Sequence, residues 1–580
     1  SMAINVAPFI EIKPLKGLSL RSMFNASLGT SRDGLFDGLN TYMKLTGSAE
    51  NKRIATYRTG HSYSYMWQNV LNYNFHIKNH EFTVTGITEY SNGMSESSVS
   101  QNEQFDYDDF LWYKTDAGQK AYAASSYTGK SKMSYAGRLS YNYLGRYILS
   151  ASIRWDGASQ LYNKWNSFPA VSAAWRISDE PFMKSVNEWL DNLKLRIGYG
   201  VSGNANIDAY VTETMVTSSA NYLNLGTGLT QGYILAQNVA NYDLTWEKSY
   251  NWNLGIDFSV LDRRIDGSIE FYTTDTKGVL YDRNLPSAFG GYHAKAYYQK
   301  MANIGKISNK GVEITINTRN IDNKNFKWNS TITWAKNKEE LKGIDLGNNI
   351  TADKLVSLNL FYGEPVNTFY GYKKTGIWQL GQEAQAACFD QEPGGVRLDV
   401  PGLVWDPDYS YVTTSEVTAE DGTVTTVETQ HQGGYYKPSE TTTDVNGNEI
   451  RKYYDANSPY VVGPGDRQIL GSRTPDWTFG FHNTFQIYDF DISIMSTMRW
   501  GQMINGELLS YLGSTTQVDC YEYWTPDNPT NAYPRPNFGG GVTDYQKEAL
   551  RYVDGSFFKI KNITVGYTVP KNLIEKIYKT

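Results

Sequence analysis

Two long segments with strict alternation of apolar and polar residues, joined by the turn Leu261–Arg264, lie between Tyr250 and Tyr272. Side chains of a strand point alternately to opposite faces, so each segment has one apolar and one polar face. Strands of globular proteins usually have about 5–6 residues, whereas a tilted strand that crosses a bilayer needs roughly 9–11. The pattern predicts membrane-crossing strands, with lipid against the Trp252–Val260 face and water against the Asn251–Ser259 face.

The same alternation recurs along the whole chain. It is found at Tyr147–Asp156, Phe168–Ile177, Leu193–Gly200, Val312–Asn317, Phe326–Trp334, Trp477–Phe485 and Phe490–Ile494, with weaker hairpins at Phe9–Leu28 and Trp67–Tyr90. We predict about fifteen or sixteen strands, with boundaries uncertain by a few residues.

Short and long connections alternate between these segments. The short ones are Leu144–Arg146, Leu261–Arg264, Ile321–Asn325 and Ile487–Asp489, and the long ones are Ser91–Lys130, Asn204–Asp243, Thr273–Met301, Glu339–Thr368, Gln379–Arg473 and Gly506–Arg551. Short periplasmic turns and long extracellular loops are typical of outer-membrane barrels. We therefore predict an all-β fold, an antiparallel transmembrane β-barrel. The alternative is a large soluble all-β protein.

Composition is consistent with a barrel. The mean hydropathy is −0.50, and no run approaches the ~20 apolar residues of a membrane-spanning helix. Trp155, Trp246, Trp334 and Trp477 stand near predicted strand ends, where barrels carry aromatic girdles. The net charge is −6, so the chain lacks the excess of basic residues that is typical of nucleic-acid-binding proteins, and we expect no nucleic-acid partner.

Several stretches, in order, resemble the barrel of SusC-like (SusC/RagA) TonB-dependent outer-membrane transporters. They are Glu11–Leu18, Trp155–Ser159, Trp165–Ser178, Leu195–Asn204, Asn303–Gly305 with Asn309–Glu313, Gly465–Arg467 with Gly471, and Asp554–Pro570. The resemblance covers nearly the whole chain.

The resemblance implies a segment of a 22-stranded barrel in the outer membrane of a Bacteroidetes-type bacterium. Such barrels contain an amino-terminal plug, couple to the TonB complex through it, and carry a SusD-like lipoprotein lid. They import oligosaccharides or peptides. Compared with complete members of that family, residues 1–580 are expected to form a barrel domain that is incomplete at both ends, without signal peptide, TonB box, plug or last strand. Residues 379–473 are expected to be a long extracellular loop insertion.

Motifs that suggest other chemistry are weak. Gly198–Gly203 matches a dinucleotide-binding glycine pattern, but no convincing helix follows it, so we predict a strand that exits into a loop. His76 and His80 flank a predicted hairpin turn, and two ligands at this spacing need a helix. Acids such as Asp257 and Glu270 are expected to line a hydrated lumen. We predict no catalytic centre and no enzyme activity.

Neither a cofactor nor a disulfide is indicated. The segment Asp444–Asp455 begins like a calcium loop, but Glu449 stands where the loop needs glycine, and Asp455 where it needs glutamate. An Asn-Gly turn is the favoured interpretation there, with structural calcium as the alternative. Cys388 and Cys520 both lie in long loops, and whether they pair stays open.

Substrate contacts are expected from aromatic residues in the extracellular loops, which can stack on sugar rings or peptide side chains. The candidates are Tyr409, Tyr411, Tyr521, Tyr523 and Trp524, with packing of loop against loop or lid as the alternative role. The Thr-rich part Thr413–Thr443 is expected to form a hairpin near the lid. The sequence predicts an importer first, a non-transporting surface glycan-binding or adhesin protein second, and a polysaccharide-acting enzyme third. It does not distinguish a glycan from a peptide substrate.

Overall fold

The computed structural model describes residues 1–39, 52–186, 188–224, 229–235, 237–285, 292–293, 296–345, 352–418, 423–444, 446–506, 522–536, 544–570 and 574. The strands are β1 (Met2–Val6), β2 (Phe9–Leu15), β3 (Leu18–Asp37), β4 (Ile54–Ile77), β5 (His80–Glu103), β6 (Lys120–Tyr143), β7 (Tyr147–Ala158), β8 (Trp165–Arg176), β9 (Leu190–Asn204), β10 (Val216–Asn224), β11 (Leu229–Leu235), β12 (Glu247–Val260), β13 (Ile265–Asn284), β14 (Tyr292–His293), β15 (Ala296–Tyr297), β16 (Gln299–Asp322), β17 (Phe326–Ile344), β18 (Thr368–Gly371), β19 (Lys373–Ile377), β20 (Val396–Asp399), β21 (Val404–Thr418), β22 (Val424–Thr443), β23 (Glu449–Tyr454), β24 (Gln468–Ser472), β25 (Trp477–Ile487), β26 (Phe490–Trp500), β27 (Met503–Asn505), β28 (Tyr552–Asp554) and β29 (Phe557–Tyr567). The α-helices are α1 (Ala352–Ser357), α2 (Glu383–Ala387) and α3 (Asp544–Arg551). Among the described helices, none has the length and apolar character to span a bilayer.

One antiparallel sheet of sixteen strands forms the body of the described protein. Its order is β1-β3-β4-β5-β6-β7-β8-β9-β12-β13-β16-β17-β25-β26-β29, and β2 pairs with β3 beside β1. Apart from β1 and β2, each strand pairs with the sheet strands before and after it in the chain, as in an up-and-down barrel. The predicted all-β antiparallel architecture is therefore confirmed.

The short connections lie where the sequence predicts them. The turns at Leu144–Arg146, Leu261–Arg264 and Ile487–Asp489 separate paired strands. Leu261, Asp262 and Arg263 all have φ between 55° and 59°, which lets a four-residue turn reverse the chain at the cost of local strain. The weak hairpin between Trp67 and Tyr90 is also present, with these two residues paired directly.

Three predicted long loops are shorter than expected because the strands continue. β5 and β6 stay paired up to Glu103 and Lys120, although the sequence predicts a loop over Ser91–Lys130. β13 and β16 likewise pair up to Asn284 and Gln299, and β17 extends to Ile344. Beyond the bilayer both faces of a strand are wet, so backbone pairing persists without the apolar alternation that marks a strand in sequence.

The two faces of the sheet differ as expected. Trp252 and Leu254 are 51% and 40% exposed on the apolar face, which we call the outer face. On the opposite, inner face, Arg196 donates hydrogen bonds to Asp257 and Glu270 at 2.7–2.8 Å. Large exposed apolar side chains are stable only against lipid or a partner, so the outer face is the membrane face.

Hydrogen-bonded rows of the sheet are staggered relative to the strand ends. One row on the outer face passes through Val84, Leu139, Ala151, Val171, Tyr199, Trp252, Thr273, Lys310 and Lys338. It begins four residues after the start of β5 and lies twelve residues after the start of β17. This shear accompanies the strand tilt that a closed barrel requires.

One predicted girdle tryptophan lies elsewhere. Trp246 is only 4% exposed and belongs to a core with Leu161, Phe168 and Leu244 beneath the connections at 158–165 and 204–247. Its indole nitrogen donates to the carbonyl oxygen of Lys164 at 2.7 Å. The prediction of a girdle position for Trp246 is wrong because the residue precedes β12 and packs on loop residues.

Candidate functional site

The two longest connections fold together at the end of the sheet opposite the short turns. One joins β17 to β25 and the other joins β26 to β29; we call their described parts within residues 352–474 and 501–554 the cap. A shared hydrophobic core contains Tyr372, Ile377 and Val396 from the first connection and Trp524, Ala549 and Leu550 from the second. Segments far apart in the chain thus form one packed unit.

Polar contacts also join the two connections. Arg467 donates to Glu548 of α3 at 2.7 Å, and Gln546 donates to Gln391 at 2.9 Å. The backbone nitrogen of Ile377 donates to the side chain of Asn531 at 3.0 Å. The sequence motif Gly465–Arg467 therefore has a structural role in the cap, since its arginine holds the helix of the other connection.

Two of the predicted aromatic contacts lie at the junction of the connections. Tyr523 and Trp524 line an open depression of about 480 Å³, together with Leu380 and the ion pair between Arg535 and Glu392. Trp524 is nevertheless only 5% exposed, and its indole nitrogen donates to Gln379 at 2.9 Å. Its main contacts are with the shared core. Tyr521 and Cys520 lie outside the described residues.

The other two predicted aromatic residues belong to a stack of rings on the three-stranded sheet β21-β22-β23. The ring centroid of Tyr409 is 3.9 Å from that of Tyr453 and 6.0 Å from that of Tyr411. Tyr411 in turn stacks on His431 at 5.1 Å. We call Tyr453, Tyr409, Tyr411 and His431 the aromatic ladder. Tyr411 is buried within it, whereas Tyr409 is half-buried.

A close backbone approach makes room for this ladder. A Cβ atom at Gly434 would lie 2.5 Å from a ring carbon of Tyr409. The neighbouring Gly433 has φ of +92°, and a Cβ there would lie 2.1 Å from the indole of Trp405. A side chain at Gly434 would displace the ring of Tyr409, so Gly434 allows the ladder to form, and Gly433 makes room for the neighbouring indole of Trp405.

Charged groups surround one end of the ladder. The Tyr453 hydroxyl donates to Asp406 at 2.6 Å and lowers the pKa of that carboxyl group. The guanidinium of Arg451 lies 3.9 Å from Asp406. At the next ring, the Tyr409 hydroxyl donates to Asp455 at 2.9 Å, and burial together with this bond raises the pKa of Tyr409 to about 12. Ring faces with adjacent carboxylate and guanidinium groups can bind sugars or peptides.

Sequence reasoning found Tyr409 and Tyr411 but missed Tyr453, His431 and Arg451. These residues come from β22 and β23, which pair with β21 or with each other. The predicted hairpin in Thr413–Thr443 is confirmed as part of β21 and β22. The tyrosine pair Tyr453-Tyr454, which follows the hairpin in sequence, was the available signal for a third strand.

The Asp444 segment forms a turn. One carboxylate oxygen of Asp444 accepts hydrogen bonds from the backbone nitrogens of Asn446 and Asn448 at 2.9 and 2.8 Å. These bonds lower the pKa of Asp444, and Gly447 has φ of +84°. The Asn-Gly turn is thus present. Within the described ranges, no three or more His, Cys, Asp or Glu side chains group as metal ligands do.

Cys388 is buried in the cap and is a free thiol. Its sulfur donates to the carbonyl oxygen of Ala384 at 3.2 Å, and burial raises the pKa of the thiol to about 11. It packs with Trp378, Phe389 and Tyr460. In this environment Cys388 acts as a small apolar core residue.

The inner face of the barrel strands carries a second polar region. Besides the Arg196 cluster, Arg154 donates to Asp156 at 2.7 Å and to Ser134 at 2.8 Å, and lies 3.4 Å from Glu89. Paired charges and hydrogen-bonded side chains stabilise a hydrated inner surface without leaving ions unpaired. The inner face is therefore suited to line an aqueous passage.

Two motifs with other possible meanings have structural explanations. Gly198–Gly203 lies within β9, which ends at Asn204, so the glycines belong to a strand and precede no helix. β4 ends at Ile77 and β5 begins at His80, so His76 and His80 flank a hairpin turn. The ring of His80 hydrogen-bonds with the hydroxyl of Tyr141 at 2.8 Å.

Curated relatives have similar sequences over most of the chain. TonB-dependent receptor P3 of Formosa agariphila is 27% identical over 97% of this chain and 50% of its own length. TonB-dependent receptor SusC of Bacteroides thetaiotaomicron is 34% identical over 44% of this chain and 26% of its own. The chain spans about half the length of the relatives that it matches throughout.

A solved structure shows the same fold. The structure of the RagAB peptide transporter matches 99% of this chain and 56% of its own with a TM-score of 0.73, at 20% identity. The family model described as TonB dependent receptor-like, beta-barrel matches residues 17–448. That family consists of outer-membrane receptors and not of enzymes. The resemblance read from the sequence is confirmed, and the chain belongs to the TonB-dependent receptor-like β-barrel family.

Proposed function

We propose that this chain forms the barrel wall and extracellular cap of an outer-membrane importer for oligosaccharides or peptides. The observation that carries the proposal is the combination of a lipid-facing outer face, a charged inner face and a cap with exposed parts of aromatic rings. A passage needs the first two, and capture of a solute needs the third.

The substrate contacts that we propose lie at two places on the cap. One is the charged end of the aromatic ladder at Tyr409 and Tyr453, and the other is the depression beside Tyr523 and Trp524. Both offer ring faces next to carboxylate and guanidinium groups. Tyr411 acts there through its stacking on Tyr409. Tyr521 stays a candidate from sequence alone.

The proposed partners follow from the family. A SusD-like lipoprotein would close over the cap, and the TonB complex would supply energy through a plug domain in the barrel. The name of the RagAB peptide transporter is compatible with a peptide substrate, and the ring faces of the ladder are equally suited to sugars.

Uptake measured in cells tests this function. Cells that express the full-length transporter with its lipoprotein should accumulate fluorescent oligosaccharides or peptides, and deletion of the TonB complex should abolish accumulation but leave surface binding. Binding without TonB-dependent accumulation would support the adhesin alternative and contradict import. Parallel screens with glycan and peptide libraries then decide the substrate class.

A further inference from the structure

A band of lysines lies on the outer face toward the extracellular end of β12, β13, β16 and β17. Its members are Lys248, Lys277, Lys306, Lys310, Lys336, Lys338 and Lys342. They occupy the same alternating positions as Trp252 and Leu254, so they point away from the inner face. We call these seven residues the lysine band.

Strand pairing places these like charges directly opposite one another. Lys248 pairs with Lys277, and Lys277 pairs with Lys306. Lys310 pairs with Lys338 in a second row. Like charges opposite each other destabilise a sheet, so this arrangement is unfavourable unless an anion lies between them.

Carboxylates of the chain do not neutralise the band. Within the described part of the chain, only Lys338 and Lys342 have a carboxylate at ion-pair distance, and both share Glu340. Asp275 also borders the region. Glu364 also acts electrostatically on Lys338. Seven ammonium groups against three carboxylates leave a positive surface.

The depth of the band in the membrane follows from strand geometry. Lys248 is twelve residues from the periplasmic end of β12, and Lys338 is twelve residues from that of β17. At about 3.3 Å per residue and a tilt of about 40°, twelve residues rise roughly 30 Å, whereas the apolar band of a barrel is about 25 Å tall. Lys248, Lys277, Lys310 and Lys338, each twelve residues from that end, therefore lie at the level of the outer-leaflet headgroups, and Lys306 and Lys342 lie four residues further out.

An apolar groove adjoins the band on its membrane side. Trp252, Leu254, Phe271 and Val312 line a concave surface of about 820 Å³ that also includes Lys310, Lys336, Lys338 and Lys342. Ammonium groups bind phosphate oxygens through charge-assisted hydrogen bonds, and the side chains next to them present hydrocarbon to an acyl chain.

We propose that this surface binds a phosphorylated lipid of the outer leaflet. The phosphate group lies among the lysines, relieves the repulsion between the paired ammonium groups, and is held above an acyl chain in the groove. The proposal is independent of import, because the outer face does not border the passage.

Native mass spectrometry of the delipidated full-length transporter tests this proposal. The probes are dioleoylphosphatidic acid, dioleoylglycerol and inorganic phosphate. We expect phosphatidic acid to bind in preference to the other two. Because a lysine near an anionic surface contributes about 1 kcal/mol, the double variant Lys310→Gln/Lys336→Gln should weaken that binding roughly 10- to 30-fold.

Two further variants sharpen the test. Lys324→Gln/Lys327→Gln removes two lysines at the periplasmic end of the same hairpin and should leave binding unchanged. Glu340→Gln frees Lys338 and Lys342 and should tighten it several-fold. The proposal is overturned if dioleoylglycerol binds as well as phosphatidic acid. It is also overturned if the two double lysine variants lose phosphatidic acid affinity to the same extent. Full competition by equimolar inorganic phosphate overturns it in favour of a free-anion site.

Discussion

Tyr409 combines stacking, burial and a charged hydrogen-bond partner in one side chain. Its ring lies between Tyr453 and Tyr411, and its hydroxyl donates to Asp455. Removing the proton would place a phenolate beside a carboxylate in a partly buried site, which explains the raised pKa.

This raised pKa predicts how the ladder responds to alkali. The folded pKa of Tyr409 is about 12, above the unfolded value near 10. The neutral hydroxyl therefore contributes its full stabilisation below about pH 10, and the contribution is lost as pH rises through 12. Tyrosine NMR of the full-length protein with ¹³Cζ labels should show one signal that titrates near 12 and is missing in Tyr409→Phe. If the missing signal titrates near 10, both the burial of the Tyr409 ring and its hydrogen bond to Asp455 are contradicted.

Trp524 is predicted to be a stability residue of the cap. Trp524→Ala should destabilise the cap by about 3–5 kcal/mol, because a large buried ring is replaced by a cavity. Hydrogen exchange of α3 and of β19, which share its core, measures the effect. Val461→Ala is the control, since Val461 is 85% exposed in the same cap. Unchanged exchange in the tryptophan variant would contradict the packing role.

At the residue scale, sequence reasoning identified the kind of side chain but not its surroundings. Aromatic residues stand out in polar loops, and this makes Tyr409 and Trp524 recognisable as candidates in the sequence. Their partners Asp455, Gln379 and Tyr453 are distant in sequence and have no local signature. Burial of Trp524 depends on the joining of two connections, which no periodic pattern encodes.

On the inner face of β9, β12 and β13, the guanidinium of Arg196 bridges Asp257 and Glu270, and Lys194 also lies near Asp257. Arg196→Met should destabilise the full-length protein by about 1–2 kcal/mol, because Glu270 then loses its ion pair and Asp257 keeps only Lys194, at 3.6 Å, in a partly hydrated site. Guanidinium unfolding followed by tryptophan fluorescence gives the value.

A charge-free control separates repulsion from lost packing. Adding Asp257→Asn and Glu270→Gln to Arg196→Met removes the two carboxylates that have lost Arg196 and should restore most of the stability. If the triple variant is as unstable as the single one, packing of the arginine stem, and not charge, holds these strands together.

Strand existence was predictable at the element scale, whereas strand length was not. β12 and β13 have complete apolar alternation because lipid faces one side and water the other. In β5 the alternation fades after Tyr90, and yet the strand runs to Glu103. There the neighbouring strands provide hydrogen-bond partners for the backbone N–H and C=O groups of β5. This backbone pairing does not depend on whether the side chains are polar or apolar.

The orientation of the whole sheet in the membrane predicts that a charged substitution has very different effects on stability at two adjacent residues of one strand. Leu254 lies six residues from the periplasmic end of β12, about 15 Å into the bilayer. Leu254→Arg on the outer face should cost about 2–4 kcal/mol, whereas Asn253→Arg on the inner face should cost little. Folding of the full-length protein into lipid vesicles, measured against urea concentration, compares the two. Equal costs would contradict the assignment of the faces.

At the scale of the whole molecule, the family and the alternating connection lengths were readable in the sequence. The cap was not, because its core joins residues such as Tyr372 and Leu550 that lie on either side of two barrel strands. Its two halves meet because the sheet places the ends of β17 and β26 at one rim.

Because the sheet is sheared, residues along one hydrogen-bonded row lie at different depths in the membrane. Along the single row from Val84 to Lys338, the residue type changes from aliphatic through aromatic to cationic as neighbouring strands carry the row outward. Spin labels placed one at a time along that row would sample successive layers from lipid tails to solvent without leaving one line of backbone hydrogen bonds. A slip of register between any two strands would appear as a step in that profile.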